Sequence, residues 1–165
     1  MRIRDIKEND VQACADIYNY YVKNSCFTLE EEELSFPEYD KRVKSVIKNY
    51  PFLVAENAEN GGEILGFAYL SAFNERSGYR YTADLSVYVK NDCRHAHTGQ
   101  RLYDEIEKRA ATLGIKNVVS IITSANDASV KFHRKNGFLA EGRLCGVAEK
   151  FGNVYDVIFM RKEIK

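Results

Sequence analysis

The chain has 165 residues, 45% of them hydrophobic and 29% charged, and 24 basic side chains balance 24 acidic ones. This fits a single domain with a core of its own, and a net charge of zero excludes nucleic acid and membrane surfaces as default partners. No apolar run is long enough to cross a bilayer and Met1-Arg2-Ile3-Arg4-Asp5 lacks a signal-peptide core, so a cytoplasmic setting is expected.

Arg2 to Ile6 alternates and predicts a first strand. Glu8-Asn9-Asp10 offers a helix start, and Val11, Cys14, Ile17, Tyr18, Tyr21 and Val22 recur at helical spacing until Asn24 to Leu29 breaks the pattern. Glu30 to Glu33 is a run of four acids. It reads as a solvated edge or, more sharply, as a mouth that attracts a cationic amine. Ser35-Phe36-Pro37-Glu38 is a capped helix start with Pro in the first turn. Tyr39, Val43, Val46, Ile47 and Tyr50 supply the apolar stripe, and Pro51 ends it. Phe52 to Glu56 and Glu63 to Ala72 flank Asn60-Gly61-Gly62 as an antiparallel hairpin. A polar loop, Phe73 to Arg80, follows.

The chain is organised around residues 81 to 113. Tyr81 to Val89 is β-branched and aromatic and predicts a strand, and Leu102, Ile106, Ala110 and Leu113 predict a helix from Gly99. Between them lies a short polar loop, Lys90 to Thr98. A strand that turns directly into a helix leaves first-turn amides without partners, and with the helix dipole they suit a phosphate. Gly114 caps that helix. Val118 to Thr123 predicts a buried strand, Ala128 to Asn136 a short helix stopped by Gly137, and Phe138 onward and Val154 to Arg161 two closing strands. The order β-α-α-β-β-β-α-β-α-β-β has three successive strands in its middle. That argues for a mixed sheet with helices on both faces rather than a doubly wound parallel one. Cys14, Cys26, Cys93 and Cys145 are scattered, with no CxxC and no histidine at ligand spacing, so free thiols and no metal are expected.

Several segments, in this order, resemble the GNAT superfamily of acyl-CoA N-acyltransferases, and within it the phosphinothricin and methionine sulfoximine N-acetyltransferase group. They are Ile17-Tyr18-Asn19 with Tyr21-Val22; Tyr79 to Val89; Arg94 with Gly99; Asn126-Asp127-Ala128-Ser129 with His133 and Gly137-Phe138; and Lys150-Phe151-Gly152 with Asp156-Val157 and Phe159-Met160. The resemblance spans nearly the whole chain. It implies one α/β domain with a mostly antiparallel central sheet that splays between its fourth and fifth strands. It also implies acetyl-CoA as co-substrate and a homodimer. Val87, Tyr88 and Val89 would pair with the pantetheine arm as an added strand would. The loop Arg94, His95, Ala96, His97, Thr98, Gly99 and Gln100 would hold the pyrophosphate, and Asn126 would bond the thioester end. The family loop has glycine where this chain has His95 and His97. Their bulk predicts weaker coenzyme binding, which a protonated ring would partly offset.

Acyl transfer to an amine requires a base, a polarised thioester carbonyl and a stabilised thiolate. By resemblance Asp84 is the base, where related enzymes usually carry Glu; the shorter side chain suits relay through a water. The alternative for Asp84 is a carboxylate satisfied by backbone or by Arg76 or Arg80. A strand amide near Val87 would polarise the carbonyl. His133 or Ser129, one helical turn apart, would serve the thiolate. The acceptor would meet Asn74, Arg76 and Tyr79 of the loop, with Leu85, Ser86, Phe27 and Glu30. Asn74 stands where the resembled enzymes hold the substrate's acidic group with Arg, and Arg76 is the nearest substitute. An amino-acid-like amine is the expected acceptor. A polyamine, an aminoglycoside, a protein N-terminus or a non-catalytic coenzyme-binding role are the rivals.

Overall fold

Helix starts follow from local side-chain chemistry. Ser35 and Glu38 close a capping box, the Glu38 carboxylate accepting from the Ser35 amide at 2.8 Å, and Pro37 stiffens the first turn of the helix Phe36–Val46. Its Tyr39, Val43 and Val46 are buried, whereas Ile47 and Tyr50 of the expected stripe lie beyond the last turn, Ile47 half exposed and Tyr50 packed partly against the core. The computed structural model describes residues 1–59, 61–93 and 97–165, the side chain of Cys93 excepted. In chain order the elements are β1 (Arg2–Asp5), α1 (Val11–Asn24), α2 (Phe36–Val46), β2 (Phe52–Asn57), β3 (Glu63–Ala72), β4 (Thr82–Val89), α3 (Thr98–Thr112), β5 (Asn117–Thr123), α4 (Asp127–Lys135), β6 (Leu139–Lys150) and β7 (Asn153–Glu163). The expected order holds throughout. One 3-10 turn, Glu8–Asp10, precedes α1, and another, Ser77–Tyr79, interrupts the loop before β4.

The seven strands form one sheet in the order β1-β2-β3-β4-β5-β7-β6. Every neighbouring pair is antiparallel except β4 and β5. One face of β2–β4 packs on α1 and α2 through Tyr18, Tyr21, Val22, Tyr39, Phe52 and Phe67. The other packs on α3 through Leu53, Ala68, Leu70, Leu85, Leu102 and Ile106, with Val130 and Phe138 extending that core toward α4. No residue of β5, β6 or β7 belongs to the α1–α2 cluster, so that face continues without a helix over the second half of the sheet.

The parallel contact between β4 and β5 lasts for three residue pairs, Thr82↔Asn117, Ala83↔Val118 and Asp84↔Val119. Beyond them each strand stays with its own antiparallel partner. β4 follows β3 as far as Gly66↔Val89, and β5 follows β7 as far as Thr123↔Val157. Strand twist then carries the two ribbons apart, and the expected splay opens at Leu85.

Gly66 holds one wall of this opening in place. A Cβ there would fall 2.6 Å from the Tyr88 carbonyl oxygen and 3.1 Å from the Val89 Cα, so β3 and the end of β4 approach this closely only with glycine. Gly66→Ala is expected to destabilise the fold by about 1–3 kcal/mol, measured as a lower midpoint in urea. A midpoint equal to wild type would show that the strands separate freely here.

Candidate active site

Strand parity decides which main-chain groups face the opening. Lys90 donates its amide to the Leu65 carbonyl at 2.8 Å, which makes Lys90/Leu65 a bonded pair of the antiparallel ladder. Every second residue back, Tyr88, Ser86 and Asp84, therefore also turns its amide and carbonyl toward β3. Leu85, Val87 and Val89 turn theirs toward β5; the Leu85 amide still meets the Val119 carbonyl in the last pair of the parallel ladder, and β5 has departed from the Leu85 carbonyl onward. The same reasoning on β5, anchored by the Ser124 amide on the Asp156 carbonyl, turns Ile121 and Thr123 toward the gap. Of the three strand residues expected to offer backbone groups, Val87 and Val89 do so. Tyr88 borders the opening, but its main chain is committed to β3. The Val89 carbonyl already accepts from the Tyr21 hydroxyl at 2.5 Å, which pins the end of β4 to α1.

The gap widens into a cavity of about 490 Å3, bordered by Leu85 to Val89, His97, Gly99, Gln100, Asn126, Ser129 and His133, with Phe27 at one side. Two helices begin at its edge. The first turn of α3, Thr98 to Gln100, presents amides that have no partner within the helix. His97, just before it, takes a left-handed backbone, φ 57°. That conformation is strained for a side-chain-bearing residue and explains why glycine suits the position. Arg94, His95 and Ala96 lie outside the described residues. Gly99 needs no special room, since an added Cβ would meet Val89 at an ordinary 3.5 Å. The Gln100 side chain bonds Asp104 and Asn136 and ties α3 to the end of α4. Asn126 caps α4 by accepting the Ser129 amide at 3.2 Å, which leaves its Nδ2 for the cavity.

Asp84 carries a half-buried carboxyl whose Oδ1 has no hydrogen-bond partner among the described residues. Burial pushes its pKa up to about 6. Neither Arg76 nor Arg80 pairs with it among the described residues: Arg76 is exposed, Arg80 bonds the Ser77 carbonyl and covers the Tyr81 ring, and burial alone shifts the Asp84 carboxyl. His133 is buried on α4 with Nδ1 2.8 Å from the Ser129 carbonyl oxygen. A carbonyl only accepts, so Nδ1 bears the proton and Nε2 is the bare nitrogen. Burial holds this imidazole below its ordinary pKa, hence neutral. The Ser129 hydroxyl, 3.3 Å from Nδ1, retains its own proton for the cavity.

The expected acceptor residues are divided. Phe27, Leu85 and Ser86 border the cavity. Glu30 instead bonds Arg42 at 2.5 Å, while Glu31, Glu32 and Glu33 are exposed and Glu33 pairs with Lys23, so the acidic run forms a solvated edge. Asn74 and Arg76 are exposed, and Tyr79 packs on Phe73 beside a separate groove. Sequence reasoning missed Ser120 and Thr123. Their hydroxyls, with Thr98 Oγ1 and His133 Nε2, are buried and unpartnered among the described residues, on the elements that border the gap. Polar residues inside the apolar run Val118 to Thr123 were the available signal. Ser120 and His133 line the cavity, and orphaned buried polar atoms at an opening mark a ligand site. No cluster that could hold a metal ion is found among the described residues.

The acetyltransferase (GNAT) domain family matches residues 3–159. The chain is 30% identical to phosphinothricin N-acetyltransferase of Streptomyces viridochromogenes, over all of this chain and 88% of that protein. It is 34% identical to L-methionine sulfoximine/L-methionine sulfone acetyltransferase of Pseudomonas paraeruginosa, over 96% of this chain and 92% of that one. Among solved structures, a GNAT phosphinothricin acetyltransferase from Sinorhizobium meliloti in complex with AcCoA superposes with a TM-score of 0.94 at 30% identity, covering 99% of this chain and 88% of that one.

The unpartnered Asp84 has a consequence for stability. Its pKa is higher folded than unfolded, so the folded state binds more protons between the two values. Its contribution is therefore favourable below about pH 4 and is lost as pH rises through about 6. With part of the group still solvated, Asp84→Asn is expected to stabilise the protein by about 1–2 kcal/mol at pH 7.5 and by much less at pH 4. Urea unfolding at both values measures this, and equal stability at pH 7.5 would mean the carboxylate is already satisfied.

Proposed function

The chain belongs to the GNAT acetyltransferase family, and from that membership we propose that it moves an acetyl group from acetyl-CoA to the primary amine of a small amino-acid-like compound of phosphinothricin or methionine sulfoximine type. Transfer is direct, in a ternary complex. The observation that carries this reading is the parting of β4 from β5 beside the Asp84 carboxyl, whose Oδ1 is buried without a hydrogen-bond partner among the described residues. It provides unpaired strand amides for an extended amide-bearing arm and, within the same few residues, a base. Two relatives that match nearly the whole chain are named for this class of acceptor, and one superposed structure holds the coenzyme.

Each chain group then has a task. Leu85, Val87 and Val89 pair with the arm, and the first turn of α3 receives the pyrophosphate. A Val87-region amide polarises the thioester carbonyl. Asp84, directly or through a water, takes the ammonium proton. The amine nitrogen then attacks the carbonyl carbon, the C–S bond breaks, and the second proton that the nitrogen sheds passes to the departing thiolate, which leaves as the thiol. Ser129 donates to the departing sulfur, because the one N–H of His133 is held by a carbonyl; His133 positions α4. No covalent enzyme intermediate is needed when both reactants are held in line. An acidic mouth for polycations has little support, since Arg42 neutralises Glu30. A cytoplasmic homodimer belongs to the same reading, and exposed Leu139, Leu144, Val147 and Val154 on the β6–β7 hairpin offer an apolar surface for a second copy.

Asp84→Asn is expected to lower kcat by about 10²–10⁴-fold while acetyl-CoA affinity stays near wild type. In the wild type kcat/KM should rise with pH through about 6, as the carboxyl gives up its proton. A thiol-release assay with phosphinothricin and methionine sulfoximine reads both. An unchanged rate in the variant removes Asp84 as base, and no turnover on any amine despite acetyl-CoA binding removes the enzyme reading.

A further inference from the structure

As the base of acyl transfer, Asp84 must collect a proton from an ammonium, yet its carboxyl stands a single carbon off β4 and reaches little beyond the sheet surface. Its Oδ1 is buried without a hydrogen-bond partner among the described residues, and burial is the one cause that raises its pKa. Directly opposite Asp84 in the β3–β4 ladder is Ser71. Parity makes this a bonded pair, as Lys90/Leu65 is, so the two Cα atoms are about 5.5 Å apart and the side chains rise from the same face. On the other side of Asp84 the β4–β5 ladder places Val119, which has no polar side chain to offer. Two further hydroxyls, Thr82 and Ser86, lie on this face of β4, each two residues or about 6.8 Å along the strand. Ser86 faces the hydroxyl of its own cross-strand partner, Tyr69, and borders the coenzyme-side cavity. Thr82 lines the separate groove beside Phe73 and Tyr79. Ser71 is half-buried, and its hydroxyl has no partner among the described residues.

We propose that Ser71 is the positioning residue of this base: with Asp84 it holds the water through which the ammonium proton leaves. The inference rests on the acyl-transfer reading above and adds a residue to that site. Two O–H···O bonds of about 2.7–2.8 Å, end to end, span up to about 5.5 Å, which is the scale of the spacing between opposed residues, so one water fits between hydroxyl and carboxylate. The water gives one hydrogen to Asp84 Oδ1 and the other to Ser71 Oγ, which leaves a lone pair for the ammonium N–H. As that N–H bond breaks, its proton goes to the water, and the hydrogen the water holds toward Asp84 passes to the carboxylate. One proton has moved, the carboxylate has become the acid, and the water is restored. Without the hydroxyl the water keeps one anchor instead of two, and its lone pair is no longer aimed at the ammonium.

Ser71→Ala is expected to lower kcat by about 10–100-fold in the thiol-release assay with phosphinothricin and methionine sulfoximine, while KM, acetyl-CoA affinity and the urea midpoint stay near wild type. Ser71→Thr, which keeps a hydroxyl and suits a strand, should restore most of the rate. Asp84→Glu carries the carboxylate closer to the amine and removes the need for a relay, so Ser71→Ala should cost less than about 3-fold in that background. An unchanged kcat in Ser71→Ala, a loss that Ser71→Thr does not repair, or the same loss in the Asp84→Glu background overturns the inference. A slow Asp84→Asn beside any of these results leaves Asp84 as the base. A wild-type rate in Asp84→Asn, or a wild-type protein that turns over neither acceptor, overturns both.

Discussion

The brevity of one parallel contact governs this molecule. β4 and β5 share only three residue pairs before each follows a stronger antiparallel neighbour. A fully laddered pair would satisfy its own amides and close the sheet. Here the interrupted ladder leaves the Leu85 carbonyl, both main-chain groups of Val87 and the Val89 amide directed at the gap, and the close approach at Gly66 and the Tyr21 hydroxyl on the Val89 carbonyl hold that strand end in position. The cavity is therefore a product of strand pairing, and side chains only furnish it.

The sheet also separates the chemistry into two faces. Asp84, Ser86 and Tyr88 rise toward the α1–α2 side, whereas Leu85 and Val87 share the opposite side with α3 and α4. In the proposed reaction, proton removal from the amine and stabilisation of the departing sulfur fall on opposite faces that meet at the gap. This keeps the Asp84 carboxyl and the buried His133 imidazole from forming an ion pair with one another. Each is costly to bury, and both carry orphaned atoms that a packed core would not tolerate.

Much of this was legible in the chain. The Ser35–Glu38 box and the proline at 37 are short-range interactions, and both lie where their residues predict. Asp84 could be singled out because a carboxylate interrupts an apolar strand. Parity was less accessible. Whether Tyr88 offers its amide to β3 or to the gap depends on a register that starts at Lys90 and Leu65, far apart in sequence. Glu30 was ambiguous for the same reason, since its partner Arg42 comes from a helix that packs beside it.

Periodicity, capping and turn residues by themselves determined the elements, their order and the mixed character of the sheet, because those are set by contacts within a few residues. The resemblance carried by scattered segments added the splay and the residues around it. Only the tertiary structure decided which strand residues face the opening, which carboxylates are neutralised, and that Asp84 stands between Ser71 and Val119. Those depend on pairings between strands tens of residues apart, where a slip of one residue would turn every side chain to the other face.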